Sequence, residues 1–560
     1  MEKIFRILGR EYSNVNQAAL LLGFFAFLSQ VLGLFRDRAI AHFIGPSPLL
    51  DAYYAAFRIP DLIFISIASL ASITVLIPFI AGRMGENVEV SESARSFLNQ
   101  VFTVFFSVMV LVSVFAFFLM PYLTFFIAPG FTPVLQGKVI ELSRIMLLSP
   151  ILLGLSNLFG SITQLFRKFF IFSLSPIFYN AGIIIGVIFL YPFFGIKGVA
   201  TGVALGALMH FLIQAISSSG SGFKPAFTFS INWIEMRKVA LTSLPRTLGL
   251  ALNNIAEVSI IAFASYMTVG SISIFNLSFN LQSVPLSIVG ISYAVAAFPT
   301  LAKSVSIGKM DEFRSHLKSA ARAIVFWSMP ATFLFIVLRA QIVRIILGSG
   351  SFSWDNTRLV AASLAIFSVS VLAQGMIALF SRAYYAKGQT KRPLLVNLLC
   401  SMLIIVMAYA LINLFKSMPT FQYFIESLLK VEGIHGTEVL MLPLAYSFGT
   451  VLNFILLWRY ARRDFMEGES LISKTFFQSL GASFFIGFVA YLSLNALSPI
   501  FGTTTFWGVF LQGFISGILG IAAGIAVLYL LQSEELAELL KALKSRFWKA
   551  KVIVPSQDQL

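Results

Sequence analysis

The sequence predicts an all-α polytopic membrane protein with about fourteen transmembrane helices. These form two parallel-repeat six-helix lobes around a central cavity, with two extra helices at the C-terminal end. Three observations carry the prediction. Of the 560 residues, 58% are hydrophobic and only 11% charged, against about 45–50% and about 25% in soluble domains. Cutting the chain at its polar and Gly/Pro breaks leaves fourteen apolar segments of the length a bilayer requires, about 20 residues. Lysine and arginine collect on alternate connections between those segments, as the positive-inside rule demands.

The segments are 18–43, 52–82, 97–120, 139–165, 172–194, 198–216, 239–266, 271–299, 319–345, 358–384, 393–414, 437–460, 475–496 and 505–531. The first is too long and unbroken for a cleaved signal peptide and lacks a small-residue cleavage site. With the N-terminus inside, cytoplasmic connections hold 28 of the 40 basic residues, the opposite connections hold seven, and five lie within helices. That bias supports an even helix number and both termini on the cytoplasmic side. The net charge of +16 therefore reads as a topology signal and not as a nucleic-acid surface.

The chain divides into an N-lobe (1–216), a cytoplasmic linker (217–237) opening on SSSGSG, a C-lobe (238–465), helices thirteen and fourteen (466–531) and a basic amphipathic tail (532–560). In the tail Ser533 is the expected N-cap, Glu534 and Glu535 occupy the first turn, and Leu536, Leu540, Leu543 and Phe547 share a face, so the tail should lie on the inner leaflet. An internal repeat appears at an offset near 220 residues. Pro78 and Pro299 end the second and eighth helices, and Pro176/Asn180 and Pro393/Asn397 follow the fourth and tenth. A six-helix unit is even, so its copies enter from the same side as parallel repeats.

Ionisable groups inside helices are costly and mark pathways or binding sites. The first helix carries Arg36, Asp37 and Arg38; the second carries Asp51, Arg58 and Asp61 near one face; the seventh carries Arg246, Asn253 and Glu257. The eighth has a stripe of Ser273, Asn276, Asn280, Ser283 and Ser287. We read Arg36, Arg58 and Arg246 as anion-receiving, with Asn276 and Asn280 donating to sugar or phosphate oxygens. Asp37, Asp51, Asp61, Asn253 and Glu257 support them. The structural alternative is open for each group: Asp37 pairs with an adjacent arginine, Asp51 caps the second helix, Asp61 neutralises Arg58, and the amide stripe glues helices together. His42 and the single cysteine, Cys400, read as inert.

A soluble enzyme is excluded by composition. One cysteine and four scattered histidines supply neither a disulfide framework nor a ligand spacing for a metal. No GxxxxGK[ST], HExxH or GxSxG segment occurs, so neither catalysis nor a cofactor is expected.

The stretch LSQVLGLFRDRAIAHFIGPSPLLDAYYAAFRIPDLIF (28–64) resembles the opening of the MurJ/MviN family of lipid II flippases, within the multidrug/oligosaccharidyl-lipid/polysaccharide exporter superfamily. The resemblance continues through PGFTP (129–133), residues 270–303, LGSGSFSWDNT (347–357) and AKGQTKRP (386–393). It implies a transporter that moves an undecaprenyl-pyrophosphate-linked peptidoglycan precursor across the membrane by alternating access, with cavity arginines receiving the pyrophosphate. It implies a lipid-linked anionic substrate, and it admits a monovalent coupling cation and cell-wall synthesis enzymes as partners. Arg36, Asp51 and Arg58 occupy family positions. Gln30, Phe64 and Asn280 stand where the family carries arginine, which keeps an exporter of another lipid-linked oligosaccharide or of drugs, and a transport-inactive scaffold, as alternatives.

The charge bias sets a test. Reporter fusions after residues 235 and 555 should be cytoplasmic and one near 425 external; an external signal at 235 contradicts the fourteen-helix topology.

Overall fold

The computed structural model describes residues 15–68, 92–165, 168–219, 225–466, 473–502 and 505–548. Among them the chain is helical, without strands. The helices are α1 (Val15–Phe43), α2 (Pro48–Ala56), α3 (Arg58–Ile63), α4 (Glu92–Ile127), α5 (Pro133–Met146), α6 (Leu148–Leu165), α7 (Phe169–Ile185), α8 (Ile196–Ser219), α9 (Trp233–Ala264) and α10 (Ser271–Pro285). They continue as α11 (Ser292–Ser306), α12 (Met310–Val337), α13 (Trp354–Val369), α14 (Val371–Ala386), α15 (Lys391–Ser417), α16 (Pro419–Leu429), α17 (Met441–Phe465), α18 (Ser473–Phe501), α19 (Phe506–Leu530) and α20 (Glu534–Trp548).

Among the described residues, ten helical stretches are long and apolar enough to cross a membrane, or eleven when α13 and α14, bent by 42°, form one span. The sequence count of fourteen includes three more segments, 18–43, 52–82 and 239–266. They fall on α1, on α2 with α3, and on α9, which carry the ionisable residues singled out above.

Several boundaries differ from the sequence reading for local reasons. The second span breaks at Phe57 and continues past α3 as a wider turn over Phe64–Ala68. Similar wide turns cover Gly186–Leu190 and Leu286–Ile291, and such turns bend a helix where an extra residue enters. The connection 415–437 contains α16, started by Pro419 and ended by Lys430 in the left-handed conformation, φ 60°. The linker's SSSGSG segment is split: 217–219 complete α8, and 220–224 lie outside the described residues. Its following part is pinned along α4, where Asn99 Oδ1 accepts from the Ala226 amide at 3.0 Å, Thr103 Oγ1 from Thr228 at 3.0 Å and Gln100 Oε1 from Asn232 at 2.9 Å.

The chain forms two compact units. One comprises residues 1–284, 343–370 and 388–456; the other 285–342, 371–387 and 457–560. In the first, α7 and α8 cross with no side chain between them. A Cβ on Gly182 would stand 2.2 Å from the Gly206 Cα, and one on Gly186 2.6 Å from the Gly202 Cα. Glycine spacing thus sets the interhelix distance, as in membrane helix pairs generally. In the second unit Gly290 and Gly375 meet likewise, 2.7 Å from Cβ to Cα. Large apolar side chains face outward along the spans, including Phe115, Phe118 and Phe126 of α4 and Phe484 and Phe488 of α18. Many phenylalanines among the described residues therefore face outward, while others, such as Phe313, Phe367 and Phe380, are buried. Buried hydroxyls turn back on their own helices: Ser175 donates to the Ile171 carbonyl, Ser243 to Val239, and Ser278 to Ile274.

Of the repeat markers, Pro78 lies outside the described residues. Asn180 and Asn397 both occupy buried positions one turn after a helix proline, and each side-chain oxygen accepts a bond, from Arg36 and Asn453 respectively.

Replacing Gly206 by Val should force α7 and α8 apart and cost about 1–3 kcal/mol, read as a lower thermal unfolding midpoint of the purified protein. An unchanged midpoint contradicts the close crossing.

Candidate anion-binding cluster and outer clasp

All of the site described here belongs to the first unit. On α1, Arg36 donates from Nε and Nη2 to one oxygen of the buried Asp37, at 3.0 and 2.8 Å, and from Nη1 to Asn180 Oδ1 on α7 at 3.0 Å. Asn180 is itself oriented, its amide donating to the Pro176 carbonyl at 3.2 Å and to Ser29 Oγ at 3.4 Å. Arg38 leaves this group and donates to the Ile345 and Ile346 carbonyls, satisfying the end of a short helix.

Arg58 opens α3. Its Nη1 donates to Glu257 Oε2 of α9 at 2.8 Å, and its Nη2 to Asn276 Oδ1 of α10 at 2.6 Å. The guanidinium side chain is only 11% exposed, the Glu257 side chain 30%. Asn276 uses one amide hydrogen on the Ile272 carbonyl at 2.8 Å, which fixes its oxygen toward Arg58 and leaves its second hydrogen. The arrangement reassigns one expected pair: Glu257 supplies the direct counter-charge to Arg58. Asp61 stays within electrostatic reach of both, but its carboxylate makes no hydrogen bond or ion pair among the described residues. Arg58 and Asp61 share a helical face at a spacing of three, and it is α9 that presents Glu257 to the guanidinium.

Two buried donors beside these cations have no acceptor among the described residues: Arg58 Nε and the Tyr54 hydroxyl. Tyr54 is within electrostatic reach of Arg36, Asp37, Arg58 and Asp51. Sequence reading did not single it out; a tyrosine on an apolar helix gives no signal until the fold places it between charged neighbours. Asn280, half-buried on α10, makes no side-chain hydrogen bond among the described residues. Ser283 donates to the Asn280 carbonyl and Ser273 serves Asp51, so the polar stripe is divided among separate tasks. The side chains of Arg246 and Asn253 lie outside those described.

Asp51 does not cap its own helix. Ser47 does, accepting from the Leu50 amide at 3.3 Å. The buried Asp51 carboxylate instead caps α10, accepting from the Gly270 amide at 2.6 Å, the Ser273 amide at 2.8 Å and the Ser273 hydroxyl at 2.6 Å. The first amides of a helix lack intrahelical acceptors, and an anion there is favoured by the dipole as well. The capping residue is 219 positions away in sequence, which is why local capping rules did not find it.

This bond belongs to a wider clasp among interhelix connections. Ser351 N–H donates to the His42 carbonyl at 2.9 Å, Gly130 N–H to Ser265 Oγ at 2.9 Å, and Thr268 N–H to Glu438 Oε1 at 2.9 Å. Contact is backbone-close: a Cβ on Gly45 would stand 2.6 Å from the Ser351 carbonyl, and one on Gly350 2.3 Å from that of His42, with φ +62° and +57°. His42, expected to be inert, contributes through its carbonyl.

No group of three or more His, Cys, Asp or Glu suited to a metal occurs among the described residues. The arrangement is suited to receiving an oxyanion: two arginines with fixed but exchangeable partners, two unspent donors and amides on α10.

The profile of the family described as lipid II flippase MurJ matches residues 40–511, beginning just after Arg36 and Asp37. A Rhizobium tropici protein named probable lipid II flippase MurJ is 26% identical over 375 residues, covering 65% of this chain and 70% of the relative. One of that name from Bdellovibrio bacteriovorus is 22% identical over 551 residues, 95% and 98% of the two chains. A solved lipid II flippase MurJ, in an inward closed conformation, superposes with a TM-score of 0.71 at 21% identity, covering 93% of this chain and 100% of that one. An inward-facing multidrug resistance MATE family transporter of the MOP superfamily gives 0.61 at 14% identity, covering 78% and 95%. The structural likenesses establish a shared fold.

Replacing Asp51 by Ala should leave the Gly270 and Ser273 amides without acceptors and cost about 1–3 kcal/mol for each, read as a lower unfolding midpoint. Asn, which keeps one acceptor oxygen, should lose less. Equal stability of Asp51→Ala and the parent contradicts the cross-sequence cap.

Proposed function

The chain belongs to the lipid II flippase MurJ family, and from that premise we propose that it carries the undecaprenyl-pyrophosphate-linked peptidoglycan precursor from the inner to the outer leaflet by alternating access. Arg36, Arg58 and Arg246 receive the pyrophosphate, with Asn276 and Asn280 donating to its oxygens or to the sugars. Two six-helix lobes rock about the site, and both termini are cytoplasmic. The observation that carries the reading is Arg58: a cation in a membrane-spanning segment, tied to Glu257 and Asn276, with Nε unspent beside the unpartnered Tyr54 hydroxyl.

Arriving phosphate oxygens take over the Arg58 donors from Glu257. A free carboxylate in that setting is expensive, so a monovalent cation takes the place of Arg58 beside Glu257, which is where an ion gradient enters. Outward movement of a head group with about two negative charges is also favoured by an inside-negative potential, by about 2.3 kcal/mol per charge per 100 mV. The clasp around Asp51 keeps the outer end shut while the site loads from inside. Its bonds are few and polar, so opening exchanges them for water without unpacking the apolar spans.

The neutral residues Gln30, Phe64 and Asn280 favour a second reading in which the lipid-linked anion differs from lipid II. The Arg36→Ala, Arg58→Ala double variant should abolish complementation of a flippase-depleted strain at normal protein abundance, while Lys at both positions restores it only partly, since an ammonium lacks the planar fork. Full activity of the double alanine variant contradicts the anion site. If the parent fails to complement yet moves another lipid-linked oligosaccharide, the second reading holds.

A further inference from the structure

The C-terminal helix α20 begins after the family match ends, and its root is bound to protein. Arg322 of α12 donates to Glu534 Oε2 at 2.5 Å and to Glu535 Oε1 at 2.7 Å; Lys474 of α18 donates to Glu534 Oε1 at 3.0 Å; Thr475 donates to Glu535 Oε1 at 2.5 Å. Beneath these bonds Leu536 is buried against Phe326, Ala482 and Leu528, from α12, α18 and α19. Ser533 orders the turn, accepting from the Leu536 amide at 3.5 Å and donating to Glu535 at 2.9 Å.

Beyond the root the chemistry reverses. After Glu538 the sequence carries Lys541, Lys544, Arg546, Lys549 and Lys551, with one acid, Asp558. Leu540 is 48% exposed, and Leu543 and Phe547 follow it at three and four residues, the spacing of one helical face. An acidic root seated on protein cations, followed by a basic stretch with an apolar stripe, is complementary to a negatively charged lipid surface.

We infer that α20 is a membrane-anchored clasp: its acidic root ties the facing ends of α12 and α18 together, and its basic, apolar distal half takes anionic phospholipid of the inner leaflet. The inference rests on the proposed topology for which leaflet is met, but not on what is transported. Bonds from Arg322, then Lys474, hold the Glu534 carboxyl down at about 2, against an ordinary value of 4.5. A depressed carboxylate contributes its stability above the ordinary value and loses it as pH falls toward the depressed one. The Glu534 pairing is therefore present at neutral pH and weakens as pH falls from 4.5 toward about 2.

The test uses the full chain with Cys400→Ser and Leu540→Cys, carrying an environment-sensitive fluorophore at position 540. It is reconstituted in phosphatidylcholine vesicles with and without phosphatidylglycerol. The expected result is a blue-shifted, quencher-shielded signal only with phosphatidylglycerol, lost in Lys541→Gln, Lys544→Gln, Arg546→Gln. The same signal in both vesicles, or persistence in the triple variant, overturns the lipid contact. Hydrogen exchange reads the root: Arg322→Glu should remove amide protection over residues 534–540, and adding Glu534→Arg with Glu535→Arg should restore it. Unchanged protection in Arg322→Glu overturns the clasp, and neither readout depends on transport of lipid II.

Discussion

A polar or charged group inside hydrocarbon must find its partner within the protein, because no water is available to supply one. Every notable feature of this chain follows from that constraint. Serines fold back onto carbonyls of their own helices, glycines let α7 and α8 approach until side chains no longer intervene, and α10 borrows a carboxylate from α2 to satisfy its first amides. The two arginines obey the same rule: Arg36 leans on Asp37 and Asn180, and Arg58 on Glu257 and Asn276. A site so balanced does not attract an anion by excess charge. On the proposed reading it accepts one by exchange, the incoming oxygens replacing an internal carboxylate and taking up Arg58 Nε, which has no acceptor among the described residues.

Exchange has an energetic counterpart in the bonds around Asp51. The clasp that joins Asp51, Gly270 and Ser273, and His42 to Ser351, is made of hydrogen bonds worth roughly 0.5–1.5 kcal/mol each, with those to a carboxylate stronger. A handful of such bonds is enough to favour one state and too few to make it permanent. Switching elements are expected to have that scale.

Membrane class and helical architecture were legible because lipid imposes them on composition and periodicity directly. The polar groups that the structure pairs were visible too, since Arg36, Arg58, Glu257 and Asn276 stand out against apolar helices. Their pairing was not. Asp61 is nearer Arg58 in sequence than Glu257 is, yet α9 delivers Glu257 to it, a consequence of tertiary packing over 199 residues. Asp51 read as a local cap and serves a distant one, and Tyr54 gave no signal because its hydroxyl matters only through its neighbours. The tail read as a leaflet-lying amphipathic helix on its apolar stripe; its root on Arg322 and Lys474 depended on where α12 and α18 end, which no local pattern encodes.

The account turns on one claim, that this scaffold moves a lipid-linked pyrophosphate through an arginine site. The direct measurement is a leaflet-resolved assay of lipid II in vesicles, with and without the purified protein, under an imposed inside-negative potential. The account predicts that lipid II placed in the inner leaflet becomes accessible outside only when the protein is present, and that Arg58→Ala abolishes the gain. Equal accessibility with and without the protein, or an undiminished gain in Arg58→Ala, would contradict it.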